Sequence, residues 1–217
     1  MLSAAAKFYT NGGPFMHPIA FVSVFGIAIM VERFIFLFFK YNINANQFMA
    51  QIQKLVMANN VDRAIKLCNA APQAALPKVI KAGLTRANKG EVEIGNAIEE
   101  ATLEVIPNVT KRTPTLQQVA NIATLLGLLG TIMGLIDAFE AVASAPPDQK
   151  AAMLTGAIAI AMNTTAFGLI VAIPTLAGYI FLNNTVKKII DEIDQYSVKL
   201  QNLLVSRGKG SQNPLDR

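Results

Sequence analysis

Three apolar runs dominate this chain, and each is long enough to cross a bilayer, which takes roughly 20 residues of helix. The first is residues 18–39, interrupted by Glu32-Arg33. The second is 116–143, apolar mainly from Val119 to Val142, with Asp137 and Glu140 near its end. The third is 151–182, inside a stretch with no charged residue from Ala151 to Val186. Shorter segments also carry helical spacing. "NANQFMAQIQKLVMANN" places Phe48, Ile52, Leu55 and Val56 on one stripe. "NVDRAIKLCNAAP" opens on an Asn cap and stops before a proline, and "EVEIGNAIEEATLEVIP" has the same character. After Leu182, Val186, Ile189, Ile190, Ile193, Tyr196 and Leu200 keep the period, so the third run continues as one helix to Leu204, about 80 Å long at 1.5 Å per residue. No segment alternates with a period of two.

The pattern predicts an all-α membrane protein with three transmembrane helices. The expected order is an outer N-terminal segment (1–17), the first span (18–39), a helical cytoplasmic insert (40–115), the second span (116–143), a short outer loop (144–150), the third span (151–182), its cytoplasmic continuation (183–206) and a disordered tail (207–217). The first span is too long for a signal peptide and lacks a small-residue cleavage site. No internal repeat is evident.

Composition agrees. Apolar residues make up 53 % of the 217 and charged residues 15 %, against roughly 25 % charged in soluble domains; the mean hydropathy is +0.40. A net charge of +5 raises the question of nucleic-acid binding, but the basic residues form no dense block. They crowd the insert (Lys40, Lys54, Arg63, Lys66, Lys78, Lys81, Arg86, Lys89, Lys111, Arg112) and the tail (Lys187, Lys188, Lys199, Arg207, Lys209, Arg217). Only Lys7 precedes the first span, and only Lys150 lies in the link between the second and third. The positive-inside bias therefore puts the N-terminus and that link outside, and the insert and C-terminus in the cytoplasm.

Catalytic and metal chemistry find little material. Cys68 is the only cysteine and His17 the only histidine, so no intramolecular disulfide, zinc site or His-based triad is expected. An intramembrane aspartyl protease needs two facing acids, and Asp137 has no second Asp in these spans. Ser23 and His17 lie at one outer edge. The expectation is a non-enzyme with no catalytic residues and no bound metal or cofactor.

The small and polar residues of the last two spans are more informative. Gly127, Gly130, Thr131 and Gly134 fall within "TLLGLLGTIMGL". In lipid, small residues let backbones approach, so Gly127, Gly130, Gly134 and Gly168 are candidate helix-packing positions. Thr124 and Thr131 share a face of their span; Ala161, Thr165, Gly168 and Ala172 share a face of theirs. Asn163, Thr164 and Thr165 stand side by side deep in the third span. A membrane threonine is often satisfied by its own helix, but an unpaired amide in hydrocarbon costs several kcal/mol. These residues fit either the wall of a narrow polar passage or a buried polar seam. Pro174 is a candidate kink. Glu32 and Arg33, adjacent and so unable to face each other, should pair with other helices or snorkel. No Asp, Glu, Lys or Arg lies at mid-depth in the last two spans, so a titratable group for ion conduction has to come from another chain.

"LLGLLGTIMGL" and "TTAFGLIVAIPTLAGY", with "VERF" in the first span, resemble the MotA/TolQ/ExbB proton channel family, and three spans with a helical insert resemble its ExbB/TolQ branch. The resemblance implies a homopentamer in the bacterial inner membrane, surrounding a dimer of a single-span ExbD/TolR-like partner that carries an essential membrane Asp. It implies that Thr131 and Thr165 line the ion path, with Thr164 and Asn163 beside them, and that ion flow drives mechanical work on the envelope. The pattern departs at Ile160, where relatives often carry Glu five residues before the second threonine. Protons are the expected ion, with sodium open. The alternative is a non-conducting scaffold whose glycines and threonines only pack helices.

Overall fold

The computed structural model describes residues 6, 8–10, 12–41 and 43–210, with the backbone alone for 208–210. Parts of the expected N-terminal segment, and residues 211–217 of the expected tail, lie outside the described residues. Among the described residues from Met16 on, seven α-helices follow one another: α1 Met16–Ile35, α2 Ala45–Met57, α3 Val61–Asn69, α4 Ala75–Thr85, α5 Glu91–Thr110, α6 Thr113–Ser144 and α7 Lys150–Gly210. A π-helical turn, Phe36–Tyr41, extends α1. The described residues contain no strand. Three helical stretches, within Met16–Met57, Glu91–Ser144 and Lys150–Arg207, are long and apolar enough to cross a membrane. The protein is an all-α membrane protein.

The helix ends follow local rules with three departures. Asn44 caps α2 by accepting from the Gln47 N–H at 3.2 Å. Asn60 occupies the cap position of α3, but its side chain makes no capping bond. The α5 helix runs past Pro107 to Thr110. Likewise α7 is unbroken at Pro174 and continues to Gly210, past the point where a disordered tail was expected.

The chain divides into two compact units. One comprises Met1–Glu32 and Arg112–Phe181, the other Arg33–Lys111 and Leu182–Arg217. In the first, Ile19, Ala120, Ala123, Val171 and Ala172 form the core, with Val22, Leu126 and Phe167 against it. Small side chains bring α1, α6 and α7 close: a Cβ on Gly26 would lie 2.8 Å from Val119. Glu32 meets Arg112, whose Nη1 lies 2.6 and 2.7 Å from the two carboxylate oxygens. Both side chains are partly exposed, so the pair contributes about 1 kcal/mol or less. Arg112 has φ +59°, a left-handed conformation that ends the link just before Pro114 starts α6.

In the second unit, Ala45, Met49, Ile52 and Val56 are the buried stripe of α2. Phe48 and Leu55, expected on it, are only half-buried. On α7 Val186, Ile189, Ile193, Tyr196 and Leu200 are buried, together with Leu182, Ser197 and Leu204, whereas Ile190, expected with them, is only half-buried. The Tyr196 hydroxyl donates to the Asn46 side chain. Cys68 is 2 % exposed. Burial pushes its thiol up to about 12, against the pull of Lys81. At pH 8 only about 10⁻⁴ of such a thiol is ionised, and the thiolate is the nucleophile. Folded protein in detergent should therefore resist labelling by a disulfide reagent, and denatured protein should label fully. Rapid labelling of the folded chain would mean that α3 does not pack as described.

Candidate functional site

The site is built where α6 crosses α7 inside the first unit. The crossing is set by two glycines. A Cβ on Gly168 would lie 2.7 Å from the Ala123 carbonyl oxygen and 3.1 Å from the Gly127 Cα. A Cβ on Gly127 would lie 3.3 Å from the Cα atoms of both Gly168 and Thr165. Backbone thus meets backbone, and only glycine fits. Gly134 faces Ala161, with 3.2 Å between an added Cβ and the alanine's own. Gly130 faces Thr164 and Phe15, and a side chain there would run into the Thr164 methyl.

This close approach brings Thr131 and Thr165 together. Their hydroxyls are in direct contact. Thr165 Oγ1 donates to the Gly127 carbonyl at 3.0 Å, and Thr131 Oγ1 reaches the same carbonyl at 3.1 Å and that of Ala161 at 3.5 Å. Each hydroxyl has one proton and two lone pairs. Two protons therefore serve two carbonyl acceptors, Gly127 and Ala161, besides the hydroxyl oxygens themselves, and lone pairs are left over. The result is a cluster of neutral oxygens, half-buried, with no charged residue from Thr113 to Ile136 on α6 or from Ala151 to Val186 on α7. Such a cluster can pass a proton along hydroxyls or give oxygen ligands to a dehydrated hard cation. It has no side chain of its own that holds a charge.

The other two residues of the expected path are placed differently. Thr164 is 2 % exposed and its hydroxyl donates to the Gly12 carbonyl at 2.6 Å, with the Ile160 carbonyl at 3.2 Å. It fastens the segment before α1 to α7. Phe8 and Tyr9 of that segment stand edge-on to Phe167, with ring centroids 6.3 and 5.9 Å away, and the Tyr9 hydroxyl lies 2.7 Å from His17 Nδ1. Asn163 is half-exposed; at 100° per residue it lies about 200° around the helix from Thr165. Pro174 is exposed on α7.

One further feature was not anticipated. Beyond the threonine pair, toward the link between α6 and α7, the two helices leave a cleft of about 430 Å³. Gly134, Asp137, Ala138 and Ala141 line one side, and Ala152, Met153, Gly156, Ala157 and Ile160 the other. The spacing of small residues at 134, 138, 141 and at 152, 156, 157 was the available signal. Among the described residues no cluster could hold a metal through His, Cys, Asp and Glu.

The family model described as the MotA/TolQ/ExbB proton channel family matches residues 71–195. An ExbB homologue of Methanothermobacter thermautotrophicus, named as a biopolymer transport protein, is 25 % identical over 87 % of this chain and 66 % of its own length. An ExbB-like biopolymer transport protein of Synechocystis is 28 % identical over 76 % of this chain and 78 % of its own. The TolQ protein of the Tol-Pal system of Haemophilus influenzae is 34 % identical over 42 % and 38 %. The chain thus spans just under two thirds of the first relative's length. With the family model covering more than half of the sequence, including the helices that build the threonine pair, the chain belongs to the MotA/TolQ/ExbB proton channel family and resembles its ExbB/TolQ branch.

Proposed function

We propose that this protein is the channel-forming subunit of an ion-driven motor of the ExbB/TolQ type in the inner membrane, with the N-terminus outside and the C-terminus in the cytoplasm. Five copies surround a dimer of a single-span ExbD/TolR-like partner. That partner carries a membrane Asp, and the Thr131–Thr165 oxygen cluster passes the ion to and from its carboxylate. The energy available is about 2.3 kcal/mol per charge per 100 mV, delivered as mechanical work on an envelope process. The observation that carries this reading is the pairing of the two hydroxyls in a glycine-walled crossing without a charged residue at that depth on either helix. A neutral oxygen pair suits transfer to a carboxylate supplied from outside the chain.

The ion is a proton in this reading. The test is flux into vesicles containing the full chain and a single-span ExbD/TolR-like protein, under an imposed pH gradient. Proton uptake should need both proteins and should be unchanged when sodium is replaced by potassium at fixed pH. Complete loss on that replacement would make sodium the ion. Absence of any ion movement would favour the second reading, a non-conducting scaffold. That alternative draws on the Gly127 carbonyl, which can satisfy a threonine hydroxyl within the chain.

A further inference from the structure

We infer that Asp137 draws cations into the cleft between α6 and α7, which serves as the vestibule for the Thr131–Thr165 pair. This deepens the ion-path reading and rests on it for the direction of travel. Three observations carry it. First, the cleft is large, about 430 Å³, enough for several waters at roughly 30 Å³ each. Second, Asp137 is the only ionisable side chain lining it among the described residues. The carboxylate is exposed and has no hydrogen bond or ion pair among the described residues. A single carboxylate beside walls of alanine, glycine, methionine and isoleucine focuses a negative potential into the space. Third, the cleft ends where Gly134 meets Ala161, and the Ala161 carbonyl is an acceptor for the Thr131 hydroxyl. The space therefore stops one contact from the oxygen cluster.

The small residues have a purpose here that packing does not explain. At Gly134 an added Cβ would touch Ala161, but at Gly156 it would meet nothing within 4 Å. Gly156 does not hold two helices together; it leaves room.

Gly156→Cys places a thiol in the cleft, and the buried Cys68 gives a silent background. In vesicles at low ionic strength, its modification by a trimethylammonium methanethiosulfonate is compared with that by the sulfonate analogue, each normalised to a small thiol in solution. With Asp137 present, the cationic reagent should react about 5- to 10-fold faster, as a unit charge roughly 7 Å away through water predicts. Asp137→Asn should bring the ratio close to one, and Asp137→Glu should keep it. Ala152→Cys repeats the measurement at a second cleft position. Equal rates with Asp137 present, a ratio unchanged by Asp137→Asn, or a thiol that neither reagent reaches would each overturn the inference. If the charge preference holds but vesicles carry no ions, the ion-path reading fails and the vestibule survives only as a cation-attracting cleft. If ions flow without a charge preference, the reverse is true.

Discussion

Thr165→Val should reduce ion-coupled activity about 100-fold or more, equivalent to about 2.7 kcal/mol at 1.36 kcal/mol per decade, while assembly and thermal stability stay near those of the parent. Valine has nearly the shape of threonine, so the glycine crossing is not disturbed. What is lost is one oxygen from a cluster that includes Thr131 and the Gly127 carbonyl. The Thr131 hydroxyl keeps the Gly127 carbonyl as its acceptor, so no buried donor is orphaned and the structural cost is small. Thr165→Ser restores the oxygen and should recover much of the activity. Flux in co-reconstituted vesicles and the melting profile of the same preparation check both halves. Full flux in Thr165→Val would remove the hydroxyl pair from the ion path.

The second large effect concerns folding. Gly168→Ala should destabilise the protein by about 1–3 kcal/mol, the usual range for overpacking, and Gly168→Leu should prevent a stable fold. The added methyl would sit 2.7 Å from the Ala123 carbonyl. A carbonyl within a helix cannot swing aside as a side-chain end could, so α6 and α7 have to separate, and the threonine pair separates with them. Gly156→Ala is the contrast. Its Cβ meets nothing within 4 Å, and alanine is the better helix former by about 1 kcal/mol, so it should not destabilise. Melting curves of the variants in detergent measure the order; equal losses from both would show that the crossing is not where the tolerance is tight.

These two residues also show how far the sequence could be read. The long apolar runs were legible because charge is so costly in hydrocarbon that its absence from Ala151 to Val186 is hard to explain otherwise. The stripe on the last part of α7 was legible from spacing, because Val186, Ile189, Ile193, Tyr196 and Leu200 all turn to the same core. The stripe on α2 was misplaced toward Phe48 and Leu55, since size draws the eye while the closest packing is made by Ala45 and Met49. The glycines announced a close contact, with Gly127, Gly130, Gly134 and Gly168 all candidates, but not that backbone meets backbone at Gly127 and Gly168 in particular. Spacing within a helix fixes which residues share a face; it does not fix the register between two helices. The meeting of Thr131 with Thr165 was therefore not legible in the sequence; the family resemblance put both on the ion path without bringing them into contact. The bond from Thr164 to Gly12 spans 152 positions and left no mark in any local pattern.

That bond has a practical bearing. Thr164 ties Gly12 of the leading segment to α7 by one hydroxyl, and its neighbour in sequence is Thr165. Any load hung ahead of Gly12, such as a fluorescent fusion or an affinity handle, tugs on the peptide unit next to the Thr131–Thr165 hydroxyl pair. Tags belong at the other terminus, and a preparation clipped near its beginning should be judged by activity before it is judged by yield.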